Sequence, residues 1–115
     1  MARIVFENQD SWMVKNRVFD RFVASVIQQN QKDRQLGEAL QIAIYHNLLH
    51  FSLIRAKDGD LVDRIIPALR TTAKSIVHED GSELAGMEAQ ERKMFLDAIA
   101  ELLALLEKAS SANKN

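Results

Sequence analysis

The stretch that decides the predicted fold runs from residue 36 to residue 54 and reads LGEALQIAIYHNLLHFSLI. Projected at about 100° per residue, its apolar side chains fall on two flanks of a helix. One flank holds Leu36, Leu40, Ile44, Leu48, Phe51 and Ile54, and the other holds Ile42, Leu49 and Leu53. A surface helix needs only one apolar flank. The pattern therefore predicts a helix over about residues 34–56 that is covered on nearly every side, either as the central helix of the bundle or with one flank packed against a second subunit.

Three further segments space their apolar residues as helices do, namely residues 11–29, 61–77 and 87–109. Asp33 is placed to cap the second helix, and Asp10 or Ser11 to cap the first. The connections between the segments are short, and short connections place sequential helices side by side. We therefore predict an all-α fold, an antiparallel four-helix bundle.

The length and composition predict one domain over residues 1–115. Hydrophobic residues make up 47% of the chain, and it has only four glycines and one proline, which argues against a turn-rich all-β fold. Residues 1–10 contain a short β-favouring stretch without an obvious partner strand, so we expect there either an extended arm or a strand that pairs with a second chain. Residues 110–115 are small and polar, and we expect a frayed tail.

The charge balance does not dictate a partner. The chain has 15 basic and 16 acidic residues, so no overall field steers it toward nucleic acid or an anionic membrane.

It has no cysteine, which excludes disulfides, thiolate nucleophiles and cysteine-bound zinc. We see neither a signal-peptide pattern nor an apolar run of about eighteen residues, and we expect a cytoplasmic protein without membrane contact.

His46 and His50 are the most conspicuous polar pair. Four residues apart on the predicted helix, they would lie one above the other, and two imidazoles so placed can bind one divalent metal ion. His78, Glu79 or another carboxylate would have to complete the site, and the Glu-x-x-His pairs of helical di-metal bundles are absent. The same pair leaves open a role for one histidine as a proton carrier near neutral pH.

A structural role for the polar residues on this helix is the interpretation that we adopt. Asn47 and His50 fall within the predicted buried arc, where an unpaired polar group costs roughly 1–3 kcal/mol. We expect them to form hydrogen bonds inside the bundle or across a dimer seam, and so to determine which helices meet.

Aromatic and basic residues alternate near the first helix, where Trp12 is the one ring expected to be exposed beside Lys15, Arg17 and Arg21. Such a pattern can bind nucleic acid by stacking. Because the whole chain is not basic, we do not expect a nucleic-acid partner. Phosphate-binding loops, nucleophile elbows and zincin signatures are absent, which disfavours an enzyme without deciding the question.

We therefore predict a small interaction or regulatory protein that acts through protein–protein contacts as a homodimer, without a cofactor. The residues expected at the interface or at buried polar positions are Ile42, Asn47, Leu49, His50 and Leu53. The alternative is a metal-binding helical bundle that holds one divalent transition metal on His46 and His50.

Overall fold

Helices pack around a small sheet in this protein, of which the computed structural model describes residues 1–79 and 86–112. Over these residues the elements in chain order are β1 (Ala2–Val5), β2 (Ser11–Val14), α1 (Asn16–Gln29), α2 (Arg34–His46), β3 (Leu48–His50), α3 (Phe51–Lys57), α4 (Gly59–Glu79) and α5 (Ala89–Ala112). This part of the chain thus contains five helices and a three-stranded sheet. The fold is α+β, and the predicted all-α four-helix bundle is wrong.

The N-terminal residues form the centre of the sheet. The strand order is β2-β1-β3, with β1 antiparallel to β2 and parallel to β3. Ile4 of β1 lies opposite Trp12 on one side and Leu49 on the other, and all three side chains are buried. The predicted extended arm is therefore a central strand, because partners from two distant parts of the sequence pair with it.

Strand β2 occupies the positions predicted to start the first helix. Ser11 and Met13 are exposed, whereas Trp12 and Val14 are buried, which is the alternation of a strand. The turn before it is closed by the Phe6 N–H, which donates to the Asp10 carbonyl at 2.8 Å. A four-residue alternation that runs into a helical stripe is easily misassigned to the helix, because both patterns place Val14 on the buried side.

Helix α1 consequently begins at Asn16, and the prediction that Asp10 or Ser11 caps this helix is wrong. Its N-cap is Lys15, whose side chain forms no capping hydrogen bond. The other cap prediction is confirmed, since Asp33 Oδ1 accepts the Leu36 N–H at 3.1 Å at the start of α2. The helices predicted over residues 61–77 and 87–109 are also confirmed, as α4 and α5. The predicted tail falls in part on residues 113–115, which lie outside the described residues.

The chain leaves helical geometry at Asn47, inside the long helix predicted over residues 34–56. Asn47 has φ 56° and ψ 36°, the left-handed conformation that asparagine tolerates better than most residues. Its N–H donates to the Ala43 and Ile44 carbonyls and caps α2, and its carbonyl accepts the Arg3 N–H at 3.1 Å. The predicted helix is thus two helices, α2 and α3, joined by β3.

This break accounts for the two apolar flanks of the sequence pattern. Leu49 leaves the helix and joins the inner face of the sheet, where it is 1% exposed. Ile42 and Leu53 stay on helices and are 60% and 61% exposed. A single chain therefore does not cover the segment on nearly every side, because a strand replaces the helix that was predicted to carry both flanks inward.

Aromatic residues of the hairpin and of α1 form the centre of the core. Trp12 is fully buried, its indole Nε1–H donates to the Ala98 carbonyl of α5 at 2.9 Å, and its ring meets that of Phe22 edge-on at 6.0 Å. The expectation that Trp12 is exposed is wrong, since the hairpin turns this ring toward α5.

A cluster of charges around Arg55 ties the hairpin turn to α3 and α4. The guanidinium donates to both carboxylate oxygens of Glu7 at 2.9 and 3.0 Å, to Asp63 at 3.0 Å and to the Gly59 carbonyl at 3.1 Å. The hydrogen bonds to Glu7 and then to Asp63 raise the pKa of Arg55 above its ordinary value. A Cβ at Gly59 would lie 3.3 Å from Arg55 Cδ, so the glycine makes room for this arginine.

A second charged contact connects the start of α2 with α4. Arg64 Nη1 donates to the two oxygens of Asp33 at 2.8 and 2.7 Å. The Leu36 backbone N–H, followed by the Arg64 guanidinium, holds the pKa of Asp33 below its ordinary value, although burial opposes the shift.

The Asp33 contact predicts a pH dependence of stability. A carboxyl whose pKa is lowered by folding stabilises the fold above its unfolded pKa of about 3.9, and this contribution is lost as the pH falls through the folded pKa. Asp33→Asn keeps a capping oxygen but removes the charge. We expect the variant to be less stable than the wild type in urea unfolding at pH 7, and the gap to narrow at pH 3. An equal gap at both pH values would contradict this assignment.

The left-handed turn predicts the ranking of substitutions at position 47. Alanine in this conformation is strained, so Asn47→Ala should lower the free energy of unfolding by about 1 kcal/mol. Glycine adopts it freely, so Asn47→Gly should leave stability close to that of the wild type. Urea unfolding followed by circular dichroism measures both, and equal stability of the two variants would mean that the turn is absent.

Candidate interaction surface

Helix α2 is covered on one side only. Leu36, Leu40 and Ala43 face the core and are buried. The residues that repeat along its outer side are exposed, and they are Arg34, Glu38, Gln41, Ile42 and Tyr45. The outer side therefore presents two large hydrophobic side chains among polar ones. We call the exposed residues of this side the α2 outer face.

Tyr45 and Ile42 are the hydrophobic part of the α2 outer face. Tyr45 is 82% exposed, and its only ring contact among the described residues is an edge-on one with His46, at 5.1 Å between ring centroids. Single exposed hydrophobic residues are common, but two within one helical turn make a continuous apolar surface. Tyrosine is also among the residues that carry most binding energy in protein interfaces.

A shallow depression runs beside the α2 outer face. It lies between the C-terminal end of α1 and α2 and has a volume of about 600 Å³. Its lining includes Ile27, Asn30, Gln31, Gly37, Gln41 and Ile42. The depression is thus bordered by α2 on one side and by the end of α1 on the other.

Gly37 lies inside α2, where the fold itself gives no reason for a glycine. Its N–H donates to the Asp33 carbonyl at 3.0 Å as in an ordinary helix, and a Cβ added there would meet no atom of the described residues within 4 Å. Glycine in a helix interior costs about 0.5–1 kcal/mol relative to alanine. What it does here is leave the α2 backbone bare beside the depression.

Arg34 and Glu38 are the two unpaired charges of the α2 outer face. They lie one turn apart, and neither forms an ion pair or hydrogen bond with a residue in the described ranges. Arg55 and Arg64 at the neighbouring helix ends, by contrast, each bind carboxylates. The surface offers one positive and one negative group to a partner.

The five residues predicted at the interface or at buried polar positions do not form one surface. Ile42 lies on the α2 outer face, and Leu53 is exposed on α3, away from the lining of the depression. Leu49 is buried in the sheet, and Asn47 is half-buried at the end of α2. His50 is half-buried in β3 opposite Val5, and its Nδ1 is buried without a hydrogen-bond partner among the described residues.

The two histidines of the metal hypothesis do not share a helix face. His46 is exposed at the last position of α2, and His50 lies beyond the break, in β3. Of the further ligands considered, His78 is exposed near the end of α4, and the side chain of Glu79 lies outside the described part of the chain. Within the described residues, no group of three or more His, Cys, Asp or Glu side chains is arranged to hold a metal ion. The metal hypothesis stays a prediction, but the shared helix face of His46 and His50 on which it was based is not formed.

The basic residues near the first helix lie at a different cavity. Lys15, Arg17 and Arg21 line a groove of about 440 Å³ between α1 and the first turns of α5. Arg17 faces Glu91 across it at 3.5 Å. Trp12 lies in the core instead, so the exposed aromatic and basic combination that would suit nucleic acid is not formed.

The sequence-based reasoning missed Arg34, Gly37, Glu38 and Tyr45. A usable signal was present, because Gly37 interrupts a helical stretch at a position that neither starts nor ends the helix. The charges carried no such signal, since paired and unpaired arginines look alike in a sequence.

No family model matches the chain, and neither a curated protein nor a solved structure is significantly similar to it. None of the helices in the described ranges combines the length and the apolarity needed to cross a bilayer. The fold and the geometry of its surfaces are therefore the basis for a functional proposal.

The open space at Gly37 predicts a stabilising substitution. Gly37→Ala adds a methyl group that meets no described atom and improves helix propensity, so the free energy of unfolding should rise by about 0.5–1 kcal/mol. The measurement is urea unfolding at a protein concentration low enough to keep the chain monomeric. A loss of stability would show that the fold requires Gly37 and would contradict a role of this glycine at an external contact.

Proposed function

We propose that this chain is a small interaction protein that acts as a homodimer, with the α2 outer face as the contact between the two copies. The observation that carries the proposal is the exposed pair Ile42 and Tyr45 beside a depression that runs along Gly37. Ile42 and Tyr45 are 60% and 82% exposed within one turn of the same helix, and adjacent exposed apolar side chains are a feature of contact surfaces.

A second copy fits the charges of this face. The formal net charge of −1 gives little repulsion between identical chains. The face carries an unpaired arginine and an unpaired glutamate, and two-fold interfaces bring the same patch of both subunits together. A surface with one group of each sign can be complementary to itself, which favours a homodimer over a partner of strong single charge.

The apolar area is compatible with an association of moderate strength. Burying an isoleucine fully contributes about 1.5–3 kcal/mol, so the 60% of Ile42 that is exposed offers about 1–2 kcal/mol. Ile42 and Tyr45 of two copies together supply several kcal/mol. A micromolar dissociation constant corresponds to about 8 kcal/mol. Polar and backbone contacts around the apolar pair would have to supply the remainder.

Sedimentation equilibrium over a micromolar concentration range tests the proposal. We expect a species of twice the 13.0 kDa chain mass, and conversion to monomer by Ile42→Glu, because the charge would have to be buried at the contact. Met94→Glu is the matched control, since Met94 is similarly exposed but lines the other groove. A wild-type monomer at these concentrations, or equal loss of dimer in both variants, would refute the proposal.

A further inference from the structure

We infer that the two α2 helices of the dimer lie antiparallel across a two-fold axis beside Gly37, with Arg34 of each copy paired to Glu38 of the other. This inference rests on the homodimer proposed above and specifies its geometry. It follows from which charges are unpaired, where the glycine lies and how the depression is placed.

Charge decides the direction of the two helices. In a parallel two-fold pair each residue faces its own copy, so Arg34 would meet Arg34 and Glu38 would meet Glu38. In an antiparallel pair centred midway between these positions, Arg34 meets Glu38 twice by symmetry. Arg34 and Glu38, which form no ion pair with each other or with another described residue, are then both paired.

Charge also decides the register. Sliding the centre of the antiparallel pair by half a turn toward the C-terminus brings Glu38 opposite Glu38 of the other copy and leaves Arg34 opposite the uncharged Ile42. Like charges placed opposite each other oppose association. The α2 outer face is therefore complementary to itself in one register.

Gly37 lies next to the centre of this arrangement. The distance between packed helices, about 8–10 Å, depends on the side chains at their crossing point, and a residue without a side chain permits a close approach. Because nothing in the described part of the chain fills the space above Gly37, a second helix can occupy it. A close approach of two helices explains a glycine that lowers the stability of α2 and that the isolated fold does not require.

The depression receives the remaining part of the partner helix. Tyr45 lies about two and a half helical turns from the centre, roughly 13 Å along the axis, which is beyond the first turn of the other α2. Ile27, Asn30 and Gln31 line the depression beside that first turn. Ile42 and Tyr45 of one copy are thereby placed over the end of α1 in the other, and each copy fills the depression of its partner.

Charge reversal with rescue tests this geometry. Arg34→Glu alone and Glu38→Arg alone each put like charges at both contacts, so each should raise the dimer dissociation constant at least about tenfold in analytical ultracentrifugation. When the two variants are mixed, the introduced glutamate of one chain meets the introduced arginine of the other, and the unchanged Arg34 and Glu38 meet at the second contact. A heterodimer should therefore form with close to wild-type affinity. Lys93→Glu and Glu101→Arg, the same reversals at exposed positions of α5, should leave the dissociation constant unchanged.

A substitution at the crossing point provides an independent measurement. Gly37→Gln places a long side chain where the two helices approach, so it should weaken the dimer while the urea midpoint of the dilute monomer does not fall. Unchanged dimerisation by Gly37→Gln would contradict the close approach.

The outcomes separate this inference from the proposed function. A wild-type chain that stays monomeric removes both. If the wild type is a dimer and neither charge reversal weakens it, the homodimer stands and the antiparallel pairing is overturned. The same conclusion holds if the two reversed variants do not associate when they are mixed. Circular dichroism melts of each variant show whether a lost dimer reflects a lost fold.

Discussion

The left-handed turn at Asn47 is the constraint on which the rest of the structure depends. It ends α2, and its carbonyl accepts the Arg3 N–H at the point where β3 begins to pair with β1. Without this turn Leu49 would stay on a helix and the sheet would lose its parallel strand. The turn also ends α2 after 13 residues, and this helix buries Leu36, Leu40 and Ala43 on one side.

Some surface charges connect elements of the fold, whereas others form no ion pair with another described residue. Glu7, Asp33 and Asp63 are bound by arginines at the junctions between elements, where each contact connects segments distant in sequence. The α2 outer face has charges of both signs and none of these connections. Arg34 and Glu38 form no such connection, and the homodimer that we propose would pair them across the contact.

The candidate site could be predicted from the sequence only in part. The second apolar flank predicts Ile42 as an interface residue, and Ile42 does lie on the exposed surface. Leu49 and Leu53 share that flank in a helical projection, yet the break at Asn47 sends one into the sheet and the other onto α3. The same projection places His46 and His50 on one helix face, and the break at Asn47 puts them on different elements. Predictions based on a continuous helix fail together when one residue interrupts it.

The sequence by itself determined the helical segments α4 and α5 and the Asp33 cap, because apolar spacing and a capping side chain act within a few neighbouring residues. Only the tertiary structure decided that residues 2–5, 11–14 and 48–50 form one sheet. Each of these strands has three or four residues and no stability alone, and pairing between distant segments, with burial of Ile4, Trp12 and Leu49, is what makes them strands. The exposure of the α2 outer face is linked to that pairing. Because residues 48–50 form a strand, Leu49 is buried in the sheet and the long two-flanked helix is not formed.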